Sequence, residues 1–181
     1  MAEPKQIRFC GFGGQGVVLA GTILGYAAIK DGKYVSGSNS YGAQARGGSA
    51  RSEVVISDEP IMFPHVIESD ILVVLSQGAY DIYIKNIAQK GALVIYDDLM
   101  VQPSDLEDVQ QIGIPATNTA LHELESKQVA NMVMLGASVA ITRIVQRQSL
   151  VSSIIENVAE QFRDLNVKAL EVGYELGEDI R

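Results

Sequence analysis

The 181-residue chain predicts an α/β fold in which one mixed, largely parallel sheet is flanked by helices. Three observations carry this. Short apolar runs alternate with helically spaced segments over the first two thirds of the chain; the turn G-F-G-G-Q-G separates the first run from a long apolar stretch; and the last third carries helical spacing throughout. The length fits one domain, residues 1–181, and with 47% hydrophobic and 20% charged residues the composition is that of a folded chain. No internal repeat and no Pro/Ser/Gly linker marks a boundary within it.

Gln6 to Cys10 reads as the first strand, and Gly16 to Ile29 as a helix apolar on all sides that must be buried on most of them. Tyr34 and Val35 begin a short second strand. Ala50 to Ile56 alternates as a third, reached through a turn and not a helix, which makes the sheet mixed. Ile71 to Leu75 and Leu93 to Tyr96 have the β-branched, uninterrupted character of central parallel strands, and Tyr80 to Ile87 reads as the helix between them. Leu121 to Lys127, Val129 to Ile144, Leu150 to Phe162 and Val167 to Leu176 then read as helices, with Ser149 and Asn166 standing where N-caps are expected. Gln128 to Thr142 holds no charge but is too short to span a bilayer, so it fits a core helix.

Fourteen Lys and Arg against twenty-two Asp and Glu leave a net charge of −8 and a pI near 4.7. That sign opposes general attraction to nucleic acid or to an anionic membrane, so neither is expected as a partner. Met1 to Arg8 is polar and lacks the features of a secretory signal, which points to the cytoplasm. The uncharged span Phe9 to Ile29 is long enough to cross a membrane, but six glycines and Gln15 interrupt it and its front end reads as a strand and a turn. A single cysteine, Cys10, excludes an internal disulfide and an iron–sulfur cluster held by four thiolates of this chain.

Two stretches have the residue types of a binding site. Gly11, Gly13 and Gly16 satisfy the G-x-G-x-x-G spacing between a strand and a helix, where glycine allows a tight turn and the helix start favours an anion. The acidic residue that would hold a ribose at the end of the second strand is missing, because Val35 leads into Ser36, Gly37 and Ser38, and this argues against NAD. Tight strand-to-helix packing without a ligand explains the same glycines. The second stretch, S-Y-G-A-Q-A-R-G-G-S-A-R from Ser40 to Arg51, is locally cationic within an acidic chain, and arginine's planar fork suits carboxylate or phosphate. Its alternative is a solvated hairpin loop with Arg51 paired to Glu53 or another acid. His65 and His122 stand apart without clustered ligands, so no metal is expected. Asp97, Asp98, Ser76 and Gln77 follow strands, where they either line a cleft or cap the next element. Cys10 reads as an inert core thiol.

The order and spacing of I-R-F-C-G-F-G-G-Q-G-V-V-L-A-G (Ile7 to Gly21) and S-Y-G-A-Q-A-R-G-G-S-A-R resemble the gamma subunit of 2-oxoacid:ferredoxin oxidoreductases. Ser69 and Asp70, L-S-Q from Leu75 to Gln77, and N-M-V-M-L-G-A from Asn131 to Ala137 continue the likeness along nearly the whole chain. The resemblance implies a subunit without catalysis of its own. The complex oxidatively decarboxylates a 2-oxoacid on thiamine diphosphate, passes electrons to ferredoxin and transfers the acyl group to coenzyme A. Thiamine diphosphate and iron–sulfur clusters would belong to partner alpha, beta and delta subunits. The short architecture looks most like the 2-oxoglutarate type. The family fold also suggests a sheet curling toward a barrel after a Rossmann-like start. The residues carried over as cofactor-binding or subunit-interface positions are Gly11, Gly13, Gly14, Gln15 and Gly16, with Ser40, Tyr41, Gly42, Arg46, Gly47, Gly48 and Arg51. The remaining readings are a free-standing nucleotide-binding protein and a purely architectural subunit.

Overall fold

The computed structural model describes residues 3–41, 49–88 and 90–181. In chain order the elements are β1 (Lys5–Phe12), α1 (Val17–Lys30), β2 (Tyr34–Tyr41), β3 (Ser49–Ser57), β4 (Ile71–Val74), α2 (Gln77–Tyr83), β5 (Leu93–Asp97), β6 (Gln110–Ile114), α3 (Ala116–His122), α4 (Ala130–Thr142), α5 (Arg147–Asn157) and α6 (Glu160–Ile180). Short 3-10 turns, Ile84–Asn86 and Lys127–Val129, follow α2 and precede α4. The six strands form one sheet in the order β2-β3-β1-β4-β5-β6. β1, β4, β5 and β6 run parallel, while β3 is antiparallel to both β1 and β2.

β1 shows how the alternation of side chains builds two layers. Ile7 and Phe9 enter the larger core, which is closed by α1, α4, α5 and α6. Cys10 lies in the smaller core with Leu72, Val74, Tyr80 and Tyr83, under α2. Arg8 shares that second face but stays charged: its guanidinium is buried against Glu53, the residue opposite it on β3, at 2.8 Å. Asn86 and Val66 carbonyls accept its remaining donors at 3.3 and 3.4 Å. Breaking a buried pair of this kind costs about 3–5 kcal/mol, because the abandoned charge stays in a poor solvent.

α4 is buried from Ala130 through Ala140 and lies against α6. Glycine makes that approach possible. A Cβ on Gly173 would lie 2.0 Å from the Val133 carbonyl oxygen, one on Gly136 2.1 Å from that of Leu170, and one on Gly177 2.6 Å from that of Ala137.

Several expectations are corrected. β2 is a full eight-residue strand, because its serines and glycine are held by complete pairing with β3 despite weak strand preference. β6 was not foreseen from Q-Q-I-G-I, which lacks a β-branched run and is held by pairing to β5. α3 starts at Ala116 and not at Leu121, because the Asp97 carboxylate accepts the Thr117 N–H at 3.0 Å and so anchors the first turn. Ser149 and Asn166 lie inside α5 and α6 and cap neither. The cap of α5 comes from the distant Asp31, whose carboxylate accepts from Gln146 N at 2.7 Å and from the Ser149 hydroxyl. Among the described residues, β2 and β6 form the two edges of the sheet.

Candidate functional site

The glycine turn sits at the C-terminal end of β1, beside the end of the parallel strand β4. The elements that follow these two strands leave on opposite faces: α1 joins the larger core and α2 the smaller. In open α/β sheets the crevice at such a reversal is where ligands bind.

In this chain the crevice is bridged by a side chain. Gln15 Oε1 accepts the Phe12 N–H at 2.6 Å, and Gln15 Nε2 donates to the Leu75 carbonyl at 2.7 Å, fastening the β1 end to the β4 end. A Cβ on Gly11 would lie 2.5 Å from Gln15 Oε1, so Gly11 is needed to admit this clasp. Gly16 adopts the left-handed region, with φ of 70°, as the N-cap of α1. Its carbonyl accepts from Asn131 Nδ2 at 3.0 Å, and a Cβ there would lie 2.4 Å from that same nitrogen. Gly14 also has positive φ, 100°, but faces open space, and Gly13 and Gly14 are exposed. Of the fingerprint glycines, therefore, Gly11 and Gly16 make room for the protein's own Gln15 and Asn131. Only the Gly13–Gly14 tip is presented outward.

The arginine-bearing stretch comes to the same sheet edge, though not through neighbouring first and second strands, because β3 lies between β1 and β2. The antiparallel register pairs Phe12 with Ser49 and Cys10 with Arg51, so the root of the β2–β3 hairpin stands beside the glycine turn. Ser40 and Tyr41, opposite Arg51 and Ala50, are exposed. Gly42, Arg46, Gly47 and Gly48 lie outside the described residues.

Arg51 is half engaged. Its Nη1 donates to the Tyr83 hydroxyl at 3.4 Å, its guanidinium lies 5.7 Å from the Tyr83 ring centre, and its Nε is 3.5 Å from Glu53 Oε1 without forming a hydrogen bond. The Tyr83 hydrogen bond, aided by Glu53 against the cost of burial, pushes its pKa above the ordinary arginine value. Glu53 is already matched by Arg8. The cluster of Arg8, Arg51 and Glu53 thus carries one positive charge more than it neutralises, and the side chain of Arg51 remains 38% exposed. The pairing expected of a plain hairpin arginine is present, on a partly exposed cation opposite Ser40 in the β2–β3 register.

The other positions resolve as structural. Ser76 caps α2 through Ala79 N. Gln77 bridges Asp81 and Gln102 N. Burial pushes the Asp97 carboxyl pKa up from the ordinary aspartate value, against the opposing hydrogen bonds from Thr117 and Leu99. Burial likewise raises the Cys10 thiol far above its usual range, which removes it from nucleophilic chemistry. Among the described residues no three His, Cys, Asp or Glu side chains gather as metal ligands, and no helix is long and apolar enough to cross a membrane.

Asn131 was not foreseen as part of this site, although a lone amide opening an otherwise chargeless core helix was its signal in the sequence. Lys127 and Gln128 were also missed. With Gly14, Gln15 and Thr117 they line a cavity of about 170 Å³ behind the glycine turn.

This arrangement is an α/β domain with an exposed glycine tip and a cationic hairpin root at one sheet edge. Residues 6–176 match the family model described as pyruvate ferredoxin/flavodoxin oxidoreductase, and the chain belongs to that family as a gamma-type subunit. It is 46% identical over 178 residues to the 2-oxoglutarate synthase subunit KorC of Methanocaldococcus jannaschii, covering 97% of this chain and 95% of the relative. To the pyruvate synthase subunit PorC of Methanothermobacter marburgensis it is 34% identical over 172 residues, covering 94% and 96%. The crystal structure of the keto/oxoacid ferredoxin oxidoreductase gamma subunit from Geobacter sulfurreducens superposes with a TM-score of 0.86 at 38% identity, covering 97% of each chain.

Proposed function

We propose that residues 1–181 act as one gamma-type domain in a cytoplasmic 2-oxoglutarate:ferredoxin oxidoreductase, assembled with alpha, beta and delta subunits that hold the thiamine diphosphate and iron–sulfur clusters. The observation that favours 2-oxoglutarate is the higher identity to the 2-oxoglutarate relative, 46% against 34% for the pyruvate relative over nearly the same length. The chain supplies no electron-transfer ligands of its own, since one buried thiol cannot hold a cluster.

Within the complex, the edge formed by Gly13, Gly14, Ser40 and Arg51 faces the catalytic subunits and the phosphates of coenzyme A. Main-chain N–H groups at a glycine tip and a partly exposed guanidinium both favour phosphate, and their convergence through the β1–β3 register supports the assignment. Gln15 and Asn131 hold that edge in shape. Because they occupy the room beside Gly11 and Gly16, a free-standing dinucleotide-binding role is the weaker reading.

The test is turnover with coenzyme A and a viologen dye, comparing 2-oxoglutarate, pyruvate and 2-oxoisovalerate. The purified chain should be inactive alone, and the complex reconstituted with it should prefer 2-oxoglutarate. Preference for another 2-oxoacid would overturn the substrate, and turnover by the chain alone would overturn the subunit role.

A further inference from the structure

A cavity of about 740 Å³ lies at the opposite end of the sheet from the glycine turn. It opens between the start of β1, the end of β3 and a strap of residues 58–70. The strap is tied down. The Ser36 hydroxyl donates to the Pro64 carbonyl at 2.9 Å, the Ile67 N–H donates to Gln6 Oε1 at 2.7 Å, and the Glu59 N–H donates to Ser57 Oγ at 3.1 Å. A segment fixed at three points nevertheless turns large apolar side chains outward: Met62 is 93% exposed, Phe63 56% and Ile67 63%. Hydration of so much adjoining apolar surface is unfavourable, and no described residue covers it.

The rim is acidic. Residues 58–70 carry Asp58, Glu59, Glu68 and Asp70 and no Lys or Arg, and Glu3 lines the same groove. Lys33 and Lys5 engage Asp58 and Asp70, leaving Glu3, Glu59 and Glu68 without a cationic partner among the described residues. A second copy of this chain, with net charge −8 and the same acidic rim, would bring like charges together.

We infer that this groove is a second docking surface, which takes a segment of a different subunit carrying Lys or Arg beside large apolar side chains. The apolar residues seat on Met62, Phe63 and Ile67, and the cations meet Glu3 and Glu59. The inference rests on the reading of the chain as part of a hetero-oligomer, and it adds a contact remote from the coenzyme A edge.

Binding is measured on the purified chain by fluorescence anisotropy at 0.1 M salt, with labelled decapeptides of alternating lysine and leucine, lysine and serine, or glutamate and leucine. Only the lysine–leucine peptide should bind tightly, and its affinity should fall at least tenfold in M62S/F63S and in E3K/E59K, with melting midpoints unchanged. Equal binding of the lysine–serine peptide, or an undiminished affinity in both variants, would overturn the inference. So would a salt-resistant dimer abolished by M62S/F63S, which would make the occupant a second copy. This arm needs no partner subunit, so it fails independently of the assembly reading. In the co-expressed complex the same variants should release one partner subunit; retention of every subunit would count against the docking role.

Discussion

The fold gathers glycines at two places, where they do different work. At the α4–α6 seam, Gly136, Gly173 and Gly177 are there because another backbone occupies the space of a side chain, with distances of 2.0 to 2.6 Å from the missing Cβ to a carbonyl oxygen. At the β1–α1 turn the reasons are mixed. Gly11 and Gly16 yield space to side chains, Gly14 is there for its positive φ alone, and the Gly13–Gly14 tip is open to solvent. A seam against backbone has nowhere to relax, whereas a turn against side chains can give. Tolerance to substitution therefore separates structural from functional glycine better than spacing does.

The largest expected effect is at the seam. Gly173→Val should undock α6 and cost on the order of 4 kcal/mol or more, read as a collapsed urea midpoint or insoluble expression. If Gly173→Val folds with near wild-type stability, the close packing described here is wrong. Gly16→Ala comes next, at about 2 kcal/mol, from left-handed backbone strain and displacement of the Asn131 amide, the flexible end of a side chain. Thermal unfolding of Gly16→Ala combined with Asn131→Ala sharpens the point, because the double variant should recover only the steric part.

Gly14→Ala, which meets open space, should cost about 1 kcal/mol from φ alone and leave a folded chain. Assembly assays on that variant isolate the role of the exposed tip from that of the fold. The smallest effect is at Asp97. Its folded pKa is raised above the unfolded value, so the native state binds the extra proton and the ionised form opposes folding. Stability relative to Asp97→Asn should therefore grow as pH falls from the raised value toward the ordinary aspartate range and shrink as pH rises through it. Urea unfolding across that window measures the slope, and a gap that widens with rising pH would reverse the assignment.

The sequence was informative where one residue pattern has one physical cause. The uninterrupted apolar runs of β4 and β5 and the chargeless α4 could only be interior, and all three were legible. β2 and β6 were not, because Y-V-S-G-S-N-S-Y and Q-Q-I-G-I owe their extension to neighbouring strands. Long-range capping was equally hidden: Asp31 and the α5 start are more than a hundred residues apart in sequence, so Ser149 looked like the cap it is not. At the candidate site the glycine motif is visible in its spacing, and the acid two residues after Arg51 makes the Arg51–Glu53 pairing a local one. Gln15's clasp and Asn131's place against Gly16 depend on which strand ends meet, which local spacing does not encode.

The edge bearing the glycine tip and Arg51 is the proposed functional edge. That role is tested most directly by the coenzyme A KM and the subunit content of complexes carrying Arg51→Ala or Ser40→Glu. Loss of a charge-assisted contact worth roughly 1.5–3 kcal/mol should raise the KM by at least tenfold in Arg51→Ala, or else leave the chain unable to join the complex. Ser40→Glu, an exposed acid opposite Arg51, should act in the same direction without disturbing the fold. Intact complexes with unchanged KM in both variants would rule out that role and leave Arg51 a solvated hairpin residue paired with Glu53.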